Sequence, residues 1–220
     1  MSKNIVSLAE RQSSYIKSLE SKNFKYTIAV GAAFVRGIRE IGYKSTGAAL
    51  NELVDNAYEA GASNVHVVLN QDGSGRKNNV TQIAVIDDGS GMIPEMLRAA
   101  VVIGGTDREN SRDGIGRFGY GLPCGCLSQG KRFEVFSRVD GADWYSAQVD
   151  VEAIERGDYF SDAGDVVVPP PVRAQLPKFV QAYVDQHFPS GLKTGTVVVL
   201  DKLDRLSHKV HGVLFNALAE

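Results

Sequence analysis

The sequence lacks the features that mark membrane, secreted and nucleic-acid-coating proteins. No apolar run reaches the roughly 18 residues that a membrane-spanning helix needs, and the polar N-terminus carries no signal peptide. The formal net charge is −2 and the pI is about 6.1, so the charge indicates no strong non-specific grip on nucleic acid. These absences predict a cytoplasmic protein that does not associate with membranes.

Cysteine is also scarce, and one common phosphate-binding sequence is missing. The two cysteines, Cys124 and Cys126, lie in a Pro-Cys-Gly-Cys stretch without partner His or Cys residues at the spacing of a zinc site. We interpret them as reduced thiols packed at the start of a helix. The pattern Gly-x-x-x-x-Gly-Lys-[Ser/Thr] does not occur, which excludes a nucleotide site of the P-loop kind.

What remains is the composition of an ordinary globular protein. Hydrophobic residues make up 43% of the 220 residues and charged residues 23%, which suits one large domain with short extensions. Residues 1–23 are rich in Ser, Lys and Glu and have little apolar periodicity, so we predict an N-terminal arm or short helix outside the core. Residues 24–220 are predicted to form the domain.

The sequence is organised around residues 49–60, Ala-Leu-Asn-Glu-Leu-Val-Asp-Asn-Ala-Tyr-Glu-Ala. Apolar residues recur there at helical spacing and predict a helix with one buried stripe. Ser45 and Thr46 are candidates for its N-cap, and Gly61 is a stop signal. The predicted stripe consists of Leu50, Leu53, Val54 and Ala57.

The opposite stripe of this helix is polar. Glu52 and Asn56 are four residues apart, which places their Cβ atoms about 5–6 Å from each other. An amide oxygen ligates hard cations such as Mg²⁺, and a carboxylate can orient and deprotonate water. The alternative is an amphipathic helix with a solvated acidic face.

The remaining pattern mixes helices with hairpin strands and predicts an α+β protein. A turn at Asp140-Gly141 separates two of the strands, as in a hairpin. Residues 151–171 look irregular and end in three prolines. The predicted strands are 64–69, 80–86, 131–139, 143–150 and 195–201, and the predicted helices are 26–41, 94–102, 117–129, 172–187 and 207–219.

Three glycine motifs follow the helix in the sequence. An apolar strand runs into Asp87 and Asp88 and then into a Gly-x-Gly turn at residues 89–91, where Asp88 suits a turn-capping role. Residues 113–121 read Asp-Gly-Ile-Gly-Arg-Phe-Gly-Tyr-Gly, and Gly-Thr at 195–196 opens a late strand. Residues 114–119 match the dinucleotide fingerprint, but polar residues stand where its strand is required. Two interpretations of this glycine motif remain: a loop that binds phosphate, and a flexible hinge.

In order, these motifs are E-x-x-D-N, D-D-G-x-G-M, G-x-G-R-x-G-x-G and a late G-T. Over residues 46–200 this order resembles the GHKL ATPase superfamily, which contains DNA gyrase B subunits, ninety-kilodalton heat-shock chaperones, sensor histidine kinases, MutL and MORC proteins. The resemblance implies a two-layer α/β sandwich of the Bergerat type, with a mixed, mostly antiparallel sheet and helices on one face. It also implies ATP and Mg²⁺ as ligands.

The resemblance assigns roles to residues that match the family motifs. Glu52 would activate water, Asn56 would ligate magnesium, Asp87 would accept a hydrogen bond from the adenine amine, and Thr196 would assist it. Residues 104–121 would form a lid that closes on the triphosphate. The nucleotide-binding residues implied are Asn56, Asp87, Gly89, Gly91, Met92, Gly114, Gly116, Arg117, Gly119, Gly121 and Thr196.

Within the superfamily the pattern favours ATP hydrolysis. None of the four histidines lies in the context of a phospho-acceptor, and the motifs are most similar to the MORC, MutL and chaperone branch. The alternatives are a switch that holds ATP without hydrolysing it, a histidine-kinase-like phosphotransfer domain, and a scaffold that has lost nucleotide.

The resemblance also implies partners. It predicts an ATP-dependent homodimer and an effector domain or protein client. Hydrolytic members usually carry a following domain whose lysine reaches the γ-phosphate. Because the chain ends soon after Gly195-Thr196, we expect an excised N-terminal domain or a short protein that relies on a partner.

Overall fold

The computed structural model describes residues 8–21, 31–73, 78–103 and 119–219. Within these ranges no helix is both long enough and apolar enough to cross a membrane. The helices are α1 (Leu8–Ser21), α2 (Gly31–Ile41), α3 (Thr46–Glu59), α4 (Pro94–Ala100), α5 (Gly121–Gln129), α6 (Val151–Arg156), α7 (Lys178–His187) and α8 (His211–Ala219). The strands are β1 (Val65–Gln71), β2 (Val80–Asp87), β3 (Gly130–Arg138), β4 (Tyr145–Asp150), β5 (Val172–Arg173) and β6 (Gly195–Leu203).

The described strands form one six-stranded sheet in the order β1-β2-β6-β3-β4-β5, and each neighbouring pair is antiparallel. The β3–β4 pair confirms the predicted hairpin around Gly141. At the end of β2, Asp87 pairs with Val65 on one side and with Thr196 on the other. The late Gly-Thr strand therefore lies directly beside the aspartate motif, although more than a hundred residues separate them in sequence.

Alternating residues of the central strands supply two separate apolar clusters. Ile83 and Val85 of β2 face the larger cluster, which also contains residues of α2, α3, α4, α5, α6 and α8. Ala84 and Ile86 face the smaller cluster, where α7 packs. The predicted α+β sandwich is confirmed. Among the described helices, α7 packs on the opposite face of the sheet, so the helices are not all on one face as the resemblance implies.

The structure corrects the prediction for residues 151–187. Residues 151–156 form α6 rather than an irregular segment, because the Asp150 side chain accepts hydrogen bonds from two backbone N–H groups of its first turn, and Gly157 ends it at φ 93°. The helix predicted from residue 172 begins only at Lys178, after Pro177. Val172–Arg173 is the edge strand β5 instead.

The segment predicted as an N-terminal arm contains a regular helix, α1, that packs against α4. Ile16 is 4% exposed and contacts Ala99 of α4, which is fully buried. Gln12, one turn earlier, is also buried at 9% exposure. One face of α1 is therefore held against the domain.

Candidate active site

The central predicted helix is confirmed as α3. Its N-cap is Ser45, whose Oγ accepts a hydrogen bond from Ala48 N at 3.1 Å. Glu52 and Asn56 lie on its half-buried side, and no hydrogen bond to the Asn56 side chain occurs among the described residues. The buried stripe contains Ala49, Leu50, Leu53 and Ala57.

Asp87 ends β2 as a buried carboxylate, 6% exposed. Its Oδ1 accepts a hydrogen bond from Gly89 N at 2.9 Å. Burial raises the pKa of Asp87 to about 6, against the lowering effect of backbone hydrogen bonds from Gly89 and Thr196, and the nearby Asp88 raises it slightly further. No salt bridge to Asp87 occurs in the described part of the chain. Because its negative charge lacks a cationic partner, Asp87 suits a ligand that brings a hydrogen-bond donor.

Asp88, the next residue, has a structural role instead. Its Oδ1 accepts hydrogen bonds from the backbone N–H groups of Ser63 at 2.7 Å and Asn64 at 2.8 Å, and Asn64 Nδ2 donates to Oδ2 at 2.7 Å. Burial is the largest single effect and raises the pKa of Asp88, but the hydrogen bonds from Asn64 and Ser63 together outweigh it and lower the pKa. Asp88 thus joins the end of β2 to the turn that follows α3, as its turn-capping interpretation predicts.

Different neighbours contact α3 at Glu52 and at its C-terminal end. At the C-terminal end, Ser90 N donates to Ala60 O at 3.0 Å, which keeps the loop after Asp87 beside the helix. Glu52 instead faces the start of α5, where a Cβ added to Gly121 would lie 2.4 Å from Glu52 Oε2. Eight residues of helix separate Glu52 from Ala60, a rise of about 12 Å.

Two glycines allow the strand ends around Asp87 to approach closely. Gly91 has φ +66°, and a Cβ there would lie 1.8 Å from the carbonyl oxygen of Arg138. Gly195 has φ +139°, and its Cβ would lie 2.0 Å from the carbonyl oxygen of Asp87. Backbone atoms rather than flexible side chains block both positions, so only glycine fits either one.

We expect Gly91→Ala to destabilise the protein much more than Gly141→Ala. Both glycines have left-handed backbones, at φ +66° and +75°, but no atom lies within 4 Å of a Cβ on Gly141. Gly141→Ala should therefore cost only the conformational term of about 1–2 kcal/mol. Gly91→Ala adds a collision with backbone, worth about 1–3 kcal/mol more. Equal urea midpoints for the two variants would contradict this difference.

Ser137 is a residue of the site that the sequence analysis missed. It is fully buried on β3, and its Oγ accepts a hydrogen bond from Met92 N at 2.9 Å. The same oxygen lies 3.0 Å from Thr196 Oγ1 and donates to Gly195 O at 2.9 Å. Ser137 thus links the Gly-Met turn to the Gly-Thr strand. No local pattern marks a serine whose partners lie 45 and 59 residues away.

Tyr43 and Cys124 also adjoin the proposed base. Burial is the main cause that raises the pKa of Tyr43, and the nearby Glu52 carboxylate raises it further. Burial and then the charge of Glu52 raise the pKa of Cys124 to about 11, and burial raises that of Cys126 further. Both thiols are free and protonated at neutral pH, in agreement with their structural interpretation.

Part of the predicted site lies outside the described residues. This applies to Gly114, Gly116, Arg117 and most of the predicted lid over 104–121. Gly119, with φ +65°, and Gly121 at the start of α5 lie within the described part. The described residues of the predicted site therefore lie in two groups, one around Asp87 and one around Glu52.

Comparison with known proteins supports the family resemblance. The family model described as "Histidine kinase-, DNA gyrase B-, and HSP90-like ATPase" matches residues 43–166, more than half of the chain. Protein MICRORCHIDIA 4 of Arabidopsis thaliana is 32% identical over 126 residues, which is 55% of this chain and 15% of that protein. ATPase morc-1 of Caenorhabditis elegans is 33% identical over 93 residues, or 42% of this chain and 10% of that protein.

The aligned segment is thus a small part of each relative. For Protein MICRORCHIDIA 7 of Arabidopsis thaliana it is 30% identical over 99 residues, 45% of this chain and 14% of that protein. The family model covers the stretch that contains α3, the Asp87 turn and α5. The chain is similar over part of its length to these MORC proteins, and it belongs to the histidine kinase-, DNA gyrase B- and HSP90-like (GHKL) ATPase family.

Proposed function

We propose that this domain binds Mg-ATP between Asp87 and Glu52 and hydrolyses it to ADP and phosphate. The adenine would lie at the Asp87 end of α3 and the γ-phosphate at the Glu52 end. Membership of the ATPase family and the similarity to ATPase morc-1 support this proposal. The histidine-kinase-like alternative has no comparable support among the aligned relatives.

The observation that carries the proposal is the state of Asp87. Asp87 is a buried carboxylate with no cation partner among the described residues. Backbone hydrogen bonds from Gly89 and Thr196 replace only part of its lost solvation, and its pKa rises to about 6 as a result. The Asp87 carboxylate therefore needs a further hydrogen-bond donor, and the exocyclic amine of adenine is such a donor. An ionised acceptor makes such a bond about 1.5–3 kcal/mol favourable.

Glu52 would act at the other end as general base. Its carboxylate would accept the proton of the attacking water and hold that water in line with the bond to be broken. The phenol of Tyr43 lies near this carboxylate and would help to orient it. The start of α5 beside Glu52 carries no acidic side chain in its first turn, which suits a negatively charged phosphate.

The residues present also fit magnesium. Among the described residues no group of three or more His, Cys, Asp or Glu side chains is arranged to hold a metal ion. Mg²⁺ in nucleotide sites is usually bound by one or two protein oxygens together with substrate phosphates and water. The Asn56 amide oxygen, one helical turn from Glu52, is such a ligand. When bound, magnesium would neutralise charge on the phosphates.

Calorimetric titration with ATP, with and without Mg²⁺, tests this function. We expect Asn56→Ala to bind ATP with an affinity that no longer depends on Mg²⁺, whereas Asn51→Ala, an exposed asparagine on the same helix, should behave like wild type. ATP at a hundredfold excess over Kd should stabilise the wild type by about 2.7 kcal/mol. Absence of any ATP binding by the wild type would refute the proposed site.

We further propose that ATP closes residues 104–121 and promotes dimerisation of a longer or partnered protein. This part rests on the glycine-rich sequence and on what the family resemblance implies. An effector domain or protein client would then respond to the ATP-bound state.

A further inference from the structure

One contact connects the N-terminal helix to the proposed nucleotide site. Gln12 of α1 donates from Nε2 to Gly91 O at 3.3 Å, and its Oε1 accepts from Ile93 N at 3.0 Å. The side-chain amide thus pairs with a C=O and an N–H two residues apart, as a neighbouring strand would. Gln12 is 9% exposed, so water competes little for these hydrogen bonds.

The segment that Gln12 binds, residues 91–93, belongs to none of the described helices or strands. It follows the last residue of β2 and precedes α4, where Ile93 is an N-cap without a side-chain hydrogen bond of its own. Met92 N, between the two positions held by Gln12, donates to Ser137 Oγ. Two distant side chains therefore satisfy three consecutive backbone positions of this turn, and they determine its shape.

The same turn forms part of the proposed adenine end. Gly89 donates to Asp87, and the tight contact of Gly91 with Arg138 holds the turn against β3. A shift of Gly91 or Ile93 would move this turn relative to the Asp87 carboxylate. The shape of the turn thus depends on whether α1 is docked.

The docking of α1 has a second, independent attachment. Ile16 lies one turn after Gln12 and packs on Ala99 of α4, and both are buried. The rest of the helix surface is largely exposed and polar. Gln12 and Ile16 are the buried side chains among the described residues of α1, and the half-buried Tyr15 packs beside Ile16, so the attachment is limited enough for a change in the turn to affect it.

We propose that Gln12 is a positioning residue of the ATP site, and that docking of α1 and binding of the adenine nucleotide stabilise each other. This inference rests on the proposed function, because it assumes that the adenine lies beside Asp87. Linkage requires the effect to be reciprocal: α1 docking raises ATP affinity by the factor by which ATP favours docking.

The test compares Gln12→Ala, Gln12→Glu and the exposed control Ser14→Ala on the same helix. We expect Gln12→Ala to weaken ATP, ADP and AMP binding by a similar factor, about tenfold, with the Mg²⁺ dependence of ATP unchanged. Gln12→Glu keeps the acceptor for Ile93 N but places a buried carboxylate oxygen against Gly91 O, so a loss at least as large as that of Gln12→Ala is expected. Ser14→Ala should bind like wild type.

Hydrogen exchange supplies a readout that a purely structural role would not change. In wild type, AMP should slow exchange at the amides of α1 as well as at Met92 and Ile93; in Gln12→Ala this protection of α1 should disappear. If wild type binds ATP and Gln12→Ala binds it equally well with α1 still protected, the coupling is refuted and the proposed function stands. If wild type binds no adenine nucleotide, the proposed function fails and the coupling fails with it.

Discussion

Glu52→Ala should abolish phosphate release while ATP affinity stays within a few-fold of wild type. The proposed role of Glu52 is toward water and not toward the nucleotide, so its loss affects the chemical step. A positioned base typically contributes about 10²–10⁴-fold in rate. Glu52→Gln should lose a similar factor, because the amide keeps the shape of the side chain but cannot accept a proton. Phosphate release under single-turnover conditions measures the effect.

The control for this experiment is Glu155→Gln, which changes an exposed glutamate paired with Arg36 on the surface. It should hydrolyse ATP like wild type. If Glu52→Ala and wild type hydrolyse at the same rate, Glu52 is not the base. If neither protein hydrolyses ATP, even when a following domain is supplied, the domain is a switch that holds ATP without hydrolysing it.

A hydrolysis-deficient protein also tests the proposed response to ATP. With ATP bound and not consumed, Glu52→Ala should accumulate as a dimer on size-exclusion chromatography, and exchange across residues 104–121 should slow. ADP should produce neither change. A monomer with unaltered exchange under saturating ATP would refute the proposed closure and dimerisation.

Asp87→Asn should make the nucleotide-free protein more stable at neutral pH while it weakens ATP binding. The pKa of Asp87 is about 6 in the folded state, against 3.8 for an ordinary aspartate. Because its pKa is higher in the folded state, Asp87 destabilises the fold when it is ionised. Its contribution to the free energy of unfolding is therefore fully favourable below about pH 4 and is lost as the pH rises through 6. A difference of about two units corresponds to about 2–3 kcal/mol, which the uncharged amide should recover.

The neighbouring residue provides a control of opposite sign. The hydrogen bonds from Ser63 and Asn64 stabilise the charged form of Asp88 and lower its pKa. Asp88 thus stabilises the fold above the ordinary aspartate pKa, and this stabilisation is lost only in more acidic solution. Asp88→Asn should therefore lower the melting temperature at pH 7 where Asp87→Asn raises it.

Nucleotide binding should respond to the same titration. Since the adenine amine requires the ionised form of Asp87, ATP affinity of the wild type should fall as the pH drops below about 6. Asp87→Asn should bind ATP about 10- to 150-fold more weakly at pH 7, from the 1.5–3 kcal/mol of a hydrogen bond to a charged acceptor. Its affinity should depend little on pH. A wild-type affinity that is flat from pH 5 to 8 would refute Asp87 as the adenine acceptor.

The parts of the site that the sequence predicted are those specified by local signals. The α3 helix has apolar spacing, a serine N-cap and a glycine stop, and all three are present in the structure. The end of β2 at Asp87 follows from an apolar run that meets two aspartates. Asp88 could be distinguished from Asp87 because a residue that follows the strand end suits a turn cap.

The missed parts depend on contacts between distant segments. Gln12 and Ser137 are ordinary polar residues in the sequence, and their roles arise from folding that brings α1 and β3 to the turn after Asp87. The short helix α6 was missed for another reason. Asp150 and Gly157 are the cap signals that could have revealed it, but only six residues lie between them, too few for an apolar period to show.

The attachment of α3 at both ends limits how this sequence can change over time. Adding one residue between Glu52 and Ala60 would lengthen the helix by about 1.5 Å and rotate everything beyond it by about 100°. Ala60 could then no longer meet Ser90 while Glu52 still faced Gly121. Insertions and deletions should therefore be excluded from this stretch, whereas the open turn at Gly141 can accept them. Divergence of this domain should proceed by substitution within α3 and by changes of length only in such turns.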